Sequence, residues 1–205
     1  MEAMADFKIC AGTMKQLRER KGDWIFVDIG FSNKSKTCGF LHVNRCGETI
    51  RQGAMTFGCL RKSIIKLVKD SGPPLHLVLE APLSTAFDDL GNPLGRKLEK
   101  RGSETRYWYV GLGCAVLVAC LYLLKAIKDA KRARDVHLFE GFVSFKKGAG
   151  RSDHLRDVRA LKDAVWSDST SFYDTCYMDR SANISATLAL LGFDDMLPPP
   201  IIMVE

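Results

Sequence analysis

Residues Tyr107 to Leu124 read YWYVGLGCAVLVACLYLL, eighteen consecutive positions without a charge. Such a run reaches the lower limit for a membrane-spanning helix. Lys125, Lys128, Lys131, Arg132 and Arg134 follow it, as a cytoplasmic flank would. The same run is rich in small residues (Gly111, Gly113, Cys114, Ala115, Ala119), which suits a helix packed closely on a sheet. Taken alone, the run supports both readings, so the flanking sequence has to decide between them.

On the N-terminal side, Asp23 to Phe31 (DWIFVDIGF), Thr37 to Asn44 (TCGFLHVN) and Thr49 to Phe57 (TIRQGAMTF) are apolar and rich in β-branched and aromatic residues. Short turn clusters separate them, which predicts an antiparallel meander of three strands. Leu60 to Val68 (LRKSIIKLV) has helical spacing of apolar and basic residues and is stopped by Asp70 to Pro74 (DSGPP). Leu75 to Glu80 (LHLVLE) reads as a fourth strand, and Thr85 to Arg106 as a loop or insertion with no strong period. Beyond the apolar helix, which extends to about Ala133, Val136 to Phe145 (VHLFEGFVSF) reads as a fifth strand. Ser152 is placed to cap a final helix through Trp166. A further helix is expected near Ala182 to Leu191.

A meander followed by alternating helix and strand predicts an α/β fold, with a mixed sheet and helices on both faces. A spanning helix would put the fourth and fifth strands on opposite sides of a bilayer, where they could not pair. The buried-helix reading is therefore preferred, and no membrane partner is expected. The domain spans residues 23–166, with an N-terminal extension (1–22) and a C-terminal extension (167–205) packed on the same domain.

Composition agrees with a globular chain. Hydrophobic residues make up 46% and charged residues 26%, which argues against disorder. The seven cysteines are odd in number and contain no CxxC, which argues against a disulfide framework or a zinc knuckle and for reduced thiols in the cytoplasm. The N-terminal residues lack an apolar h-region with a cleavage site. The net charge of +6 permits a nucleic-acid partner without establishing one.

The acids carry the functional signal. Asp28, Glu80 and Glu140 each lie in an otherwise apolar strand, where a carboxylate is costly unless paired or bound to a cation. Asp153 and Asp157 lie four apart at the start of the last helix and share one face, with His154 within reach of it. Such oxygen-rich clusters suit Mg²⁺ or Mn²⁺.

The order of these elements, with VDIGFS in the first strand, LVLEAPLS at the end of the fourth, Phe139-Glu140 in the fifth and His154-Leu155-Arg156-Asp157 opening the last helix, resembles the ribonuclease H-like superfamily. It is similar to RuvC-type Holliday-junction resolvases and to an uncharacterised family of predicted RNase H-like nucleases. The resemblance implies an RNase H-like mixed sheet of five strands in the order 3-2-1-4-5, with strands 1, 4 and 5 parallel because helices join them. It also implies a metal-dependent nuclease that hydrolyses phosphodiester bonds of RNA or DNA. Asp28 would be the bridging ligand, with Glu80 and Asp157 completing the site and Glu140, His154 and Asp153 in supporting positions. In resolvases the helix acid is followed at once by Ala-Leu. Here Val158-Arg159 follow Asp157, and Asp163-Ala164 is a second candidate on a different face.

Two metal ions about 4 Å apart can activate a water and stabilise the leaving oxygen of a phosphodiester. Lys146, Lys147, Arg151, Arg156 and Arg159 border the acids and are candidates for phosphate contacts, as is Arg106 beside Trp108. Lys125 to Arg134 is ordinarily a solvated basic face, or else it lines a nucleic-acid channel. His42, His76 and His137 read as structural, and Phe139 and Phe142 as core. No GxxxxGK[ST] phosphate loop occurs. A homodimer is compatible with this reading. The alternatives are a non-catalytic RNase H-like binding module, a phosphotransferase of the actin-like ATPase superfamily, and a membrane-anchored protein.

Overall fold

The computed structural model describes residues 7–31, 36–101, 103–105, 112–143, 153–167, 172–174, 183–193 and 197–204. In chain order the elements are β1 (Ile9–Ala11), α1 (Met14–Glu19), β2 (Asp23–Asp28), β3 (Cys38–Val43), β4 (Thr49–Met55), α2 (Phe57–Lys69) and β5 (Leu75–Glu80). There follow β6 (Ser84–Phe87), β7 (Pro93–Leu94), a 3-10 turn (Lys97–Glu99), β8 (Lys100–Arg101), β9 (Glu104–Thr105) and α3 (Leu112–Asp129). The last are β10 (Val136–Val143), α4 (His154–Trp166), β11 (Phe172–Tyr173), β12 (Asn183–Ala186), a 3-10 turn (Thr187–Leu191) and β13 (Ile201–Val204).

The main sheet is mixed. Its spatial order is β11-β13-β10-β5-β2-β3-β4, and β1 also pairs with β10. The meander β2-β3-β4 is antiparallel, whereas β2, β5, β10 and β13 run parallel to one another and β11 is antiparallel to β13. The sheet has eight strands rather than five. Two additions lie along one edge of β10: β1 pairs with Val136 to Leu138 and β13 with Glu140 to Val143. Segments expected as extensions thus supply strands to the sheet. They are three and four residues long, too short for a two-residue period to be read from sequence.

Alternation along the strands sorts the side chains into two cores. Ile25 and Val27 face Leu60, Ile64 and Val68 of α2 and Leu123 and Ile127 of α3. Trp24 and Phe26 face Leu17 of α1 and Val158, Leu161 and Val165 of α4. Each of these side chains is essentially fully buried, which stabilises the fold by about 1.5–3 kcal/mol apiece. The sheet is therefore covered on both faces.

The apolar helix begins at Leu112 within the described residues, and positions 107–111 lie outside them. Cys120, Leu123, Leu124 and Ile127 enter the core, while Val118 and Tyr122 stay 66% and 55% exposed. Among the described residues no helix is long and apolar enough to cross a membrane. The helix ends at Asp129 rather than Ala133, and beyond it Arg132 donates from Nη1 to the Lys128 carbonyl at 2.7 Å and from Nη2 to the Phe7 carbonyl at 2.9 Å. The basic run that follows the apolar stretch is thus partly structural. Arg134 is buried in an ion pair with Asp23 at 2.8 Å, and Lys128 donates to the carbonyls of Leu191 and Gly192.

Two other expectations are corrected. The region from Thr85 contains β6, β7, β8 and β9 in two small sheets. Residues near Ala182 to Leu191 form β12 and a 3-10 turn in place of a helix, because Asn183–Ala186 pairs antiparallel with β6. Tertiary pairing overrides the local helix propensity there.

At the N-terminal ends of the strands, His76 stacks on Trp24 with centroids 4.4 Å apart and lies 5.2 Å from the His137 ring. Its Nε2 meets the Lys21 carbonyl at 2.5 Å. Burial, aided by the neighbouring His137, pushes the His76 pKa down to about 4, and burial also lowers those of His42 and His137. The folded value lies below the unfolded value of about 6.5, so between the two the unfolded chain binds the extra proton. Stability present above about pH 6.5 is therefore lost as the pH falls toward about 4. Urea denaturation between those limits should show the loss, and His76→Gln should remove a part on the order of 3 kcal/mol.

Candidate functional site

β2 and β5 end side by side, with Asp28 and Glu80 as register partners. In-register neighbours of a parallel pair point to the same face, so both carboxylates lie on the α4 side of the sheet. Both are buried, at 4% exposure each.

The third element is the start of α4. Asp153 is its N-cap: Oδ1 accepts from the backbone N–H groups of Leu155 and Arg156, each at 3.1 Å. Two glycines bring this helix end close to the sheet. A Cβ at Gly39 would lie 2.1 Å from the His154 carbonyl oxygen, and one at Gly30 would lie 2.3 Å from His154 Nε2. At that approach, His154 Nδ1 reaches Asp28 Oδ2 at 2.7 Å. Asp157, one turn along and 5% exposed, completes the group. One ligand atom from each of Asp28, His154 and Asp157 lies within 4.8 Å of the others. Trans ligands of an ion with bonds of about 2.1 Å stand roughly 4.2 Å apart, so the spacing is of the right size for one cation. The helix N-terminus, with its partial positive charge, also favours the two carboxylates.

The sequence-derived site residues divide clearly. Asp28, His154 and Asp157 come together, and Glu80 adjoins Asp28 on the next strand but stands outside the three-residue group. Asp153 caps the helix instead of joining the group, and the expected cap Ser152 lies outside the described residues. Asp163 is exposed beside Lys162, which leaves Asp157 as the helix acid nearest Asp28. Arg156 is exposed on α4, and Arg159 donates to Gln52 at 3.0 Å. Arg106, Lys146, Lys147 and Arg151 lie outside the described residues.

Glu140 requires a correction. It is fully buried, but its register partner is Leu79, one position before Glu80, so it points to the opposite face of the sheet. There it meets Arg96 at 2.8 Å and accepts from the Leu83 N–H and the Ser84 hydroxyl. Arg96 also holds Glu99 at 2.9 Å. Burial raises the Glu99 pKa, opposed by the charge of Arg96. This buried network ties the segment after β5 to β10 and takes no part in the cation group. Sequence reasoning passed over Arg96, whose only signal was a charge in an insertion. Cys38 is also nearby, donating to the Gly30 carbonyl at 3.6 Å. Its thiol pKa is raised, chiefly by burial.

Comparison with protein-family models, with curated proteins and with solved structures gave no match.

Glu140→Gln leaves the Arg96 charge with one carboxylate fewer in a dry site. It should lower stability by about 3 kcal/mol, read by urea denaturation, with divalent-cation affinity unchanged. An equal loss of cation affinity would place Glu140 in the metal site after all.

Proposed function

We propose that this protein is a divalent-cation-dependent nuclease with an RNase H-like core, hydrolysing phosphodiester bonds at the Asp28, His154 and Asp157 centre. The observation that carries the reading is the convergence of these three side chains at the C-terminal end of a central strand. The spatial order β4-β3-β2-β5-β10, antiparallel through the meander and parallel beyond it, supports the RNase H-like assignment.

Asp28, Asp157 and His154 would hold the ion, and Glu80 lies beside Asp28 to serve a second. A nitrogen donor beside carboxylates favours Mn²⁺ over Mg²⁺. An ion held there would supply an activated water and stabilise the leaving oxygen. The chain's own residues prepare that chemistry. His154 Nδ1 lies 2.7 Å from Asp28 Oδ2, which fixes the ring orientation, and an ion shared with Asp28 would take the Nδ1 lone pair in place of this contact. Strand ends and a capped helix hold the carboxylates rigidly, as cation positioning requires.

The test is Mn²⁺ or Mg²⁺ titration with two readouts, the thermal midpoint and cleavage of a panel of RNA and DNA substrates. An ion at one hundred times its Kd should stabilise the folded chain by about 2.7 kcal/mol. Asp28→Asn should abolish both that gain and cleavage, while the chain stays folded, because it removes one of several crowded negative charges. Stabilisation without cleavage of any substrate would overturn the nuclease and leave a cation-binding module. No stabilisation by either ion would overturn the centre itself.

A further inference from the structure

We infer that the surface where α2 meets α3, on the sheet face opposite the Asp28 carboxylate, binds single-stranded nucleic acid. The inference rests on the nuclease reading for its substrate class but is argued from different residues. Across its 13 residues α2 carries Arg61, Lys62, Lys66 and Lys69 and no acid. These four cations rim a groove against Ala126, Asp129 and Ala130 of α3. The acids there are Asp70 and Asp129, and Asp129 is already engaged by Lys125. The groove therefore presents a net positive rim.

Aromatic faces adjoin it. Tyr122 of α3 is 55% exposed, and the Arg61 guanidinium lies over its ring, 5.1 Å from the centroid, while donating to its hydroxyl. Phe57 lies 6.3 Å from the same ring. On its other side Tyr122 shares a shallow apolar hollow with Val118 and Phe31, and Phe31 is 51% exposed. Phe31 stands three residues beyond Asp28. The Arg61–Tyr122 pair thus joins the basic groove to the apolar hollow.

Cations that follow a phosphate backbone, interleaved with exposed aromatic faces on which bases stack, are the chemistry of single-strand binding. A duplex keeps its base faces inside the stack and would leave Phe31 and Tyr122 without partners. An acidic polypeptide would satisfy the lysines but not the aromatic faces.

The experiment uses the full chain in EDTA and a fluorescent oligothymidylate about 16 nucleotides long, read by anisotropy. The single strand should bind about tenfold more tightly than a duplex of equal length. Tyr122→Ala should weaken binding by about tenfold, whereas Tyr122→Phe should retain it. The pair Lys66→Gln and Lys69→Gln, both at exposed positions, should reduce the slope of log K against log salt by about 1.4. Duplex bound as tightly as single strand would overturn the inference, as would wild-type binding by the lysine double variant. Competition by polyglutamate equal to that by unlabelled oligonucleotide would overturn it in favour of an acidic protein partner. Because binding is read without metal, single-strand binding with no cleavage counts against the nuclease alone, and cleavage with no such binding counts against this inference alone.

Discussion

The site depends on bare backbone at Gly39. The first turn of α4 rests against that strand where no side chain intervenes, and a single methyl there would overlap the His154 carbonyl at 2.1 Å. Gly30 makes the same allowance for the His154 ring. Without these two positions the helix would have to ride higher, and Asp157 would no longer share a space with Asp28. The approach also has an energetic side. Two carboxylates buried at 4% and 5% exposure repel one another and are poorly hydrated. The helix end, the imidazole and, on the proposed reading, a cation are what offset that repulsion.

The two faces of the sheet divide the work. On the α4 face an apolar core gives way, at the strand ends, to the Asp28 group. On the α2 and α3 face the core is closed by a different polar device, the Arg96–Glu99–Glu140 network. Each rests on a buried acid borne by a strand, yet one leaves an arrangement suited to a cation and the other already contains its counter-charge. A guanidinium bound by two carboxylates is satisfied internally.

Much of this was legible in the sequence. The apolar runs around Asp28, Glu80 and Glu140 marked central strands, and the acids within them stood out because charge is rare there. The spacing of His154 and Asp157 marked a helix start with both residues near one face. What could not be read was parity. Glu80 and Glu140 look equivalent as acids in strands, and only the register, Glu140 against Leu79, shows that they face opposite ways. Nor could the short strands Ile9–Ala11 and Ile201–Val204 be found, because their partner β10 lies far away in the chain. The strand Asn183–Ala186 was hidden for the same reason, since its partner β6 is itself a short run in a polar insertion.

The contact between His154 and Asp28 spans 126 residues of sequence. During synthesis at about 5–20 residues per second, Asp28 emerges some 6–25 s before its partners. The strands β2, β5 and β10 can all be present while α4 has yet to appear, so a nascent chain holds the centre of the sheet but lacks the donors that complete the site. The late arrival of α4 also makes closing the site a long-range event, with the slow loop-closure kinetics of non-local pairing. The Asp28 group is therefore completed only when α4 docks, after the strands it rests on are already in place.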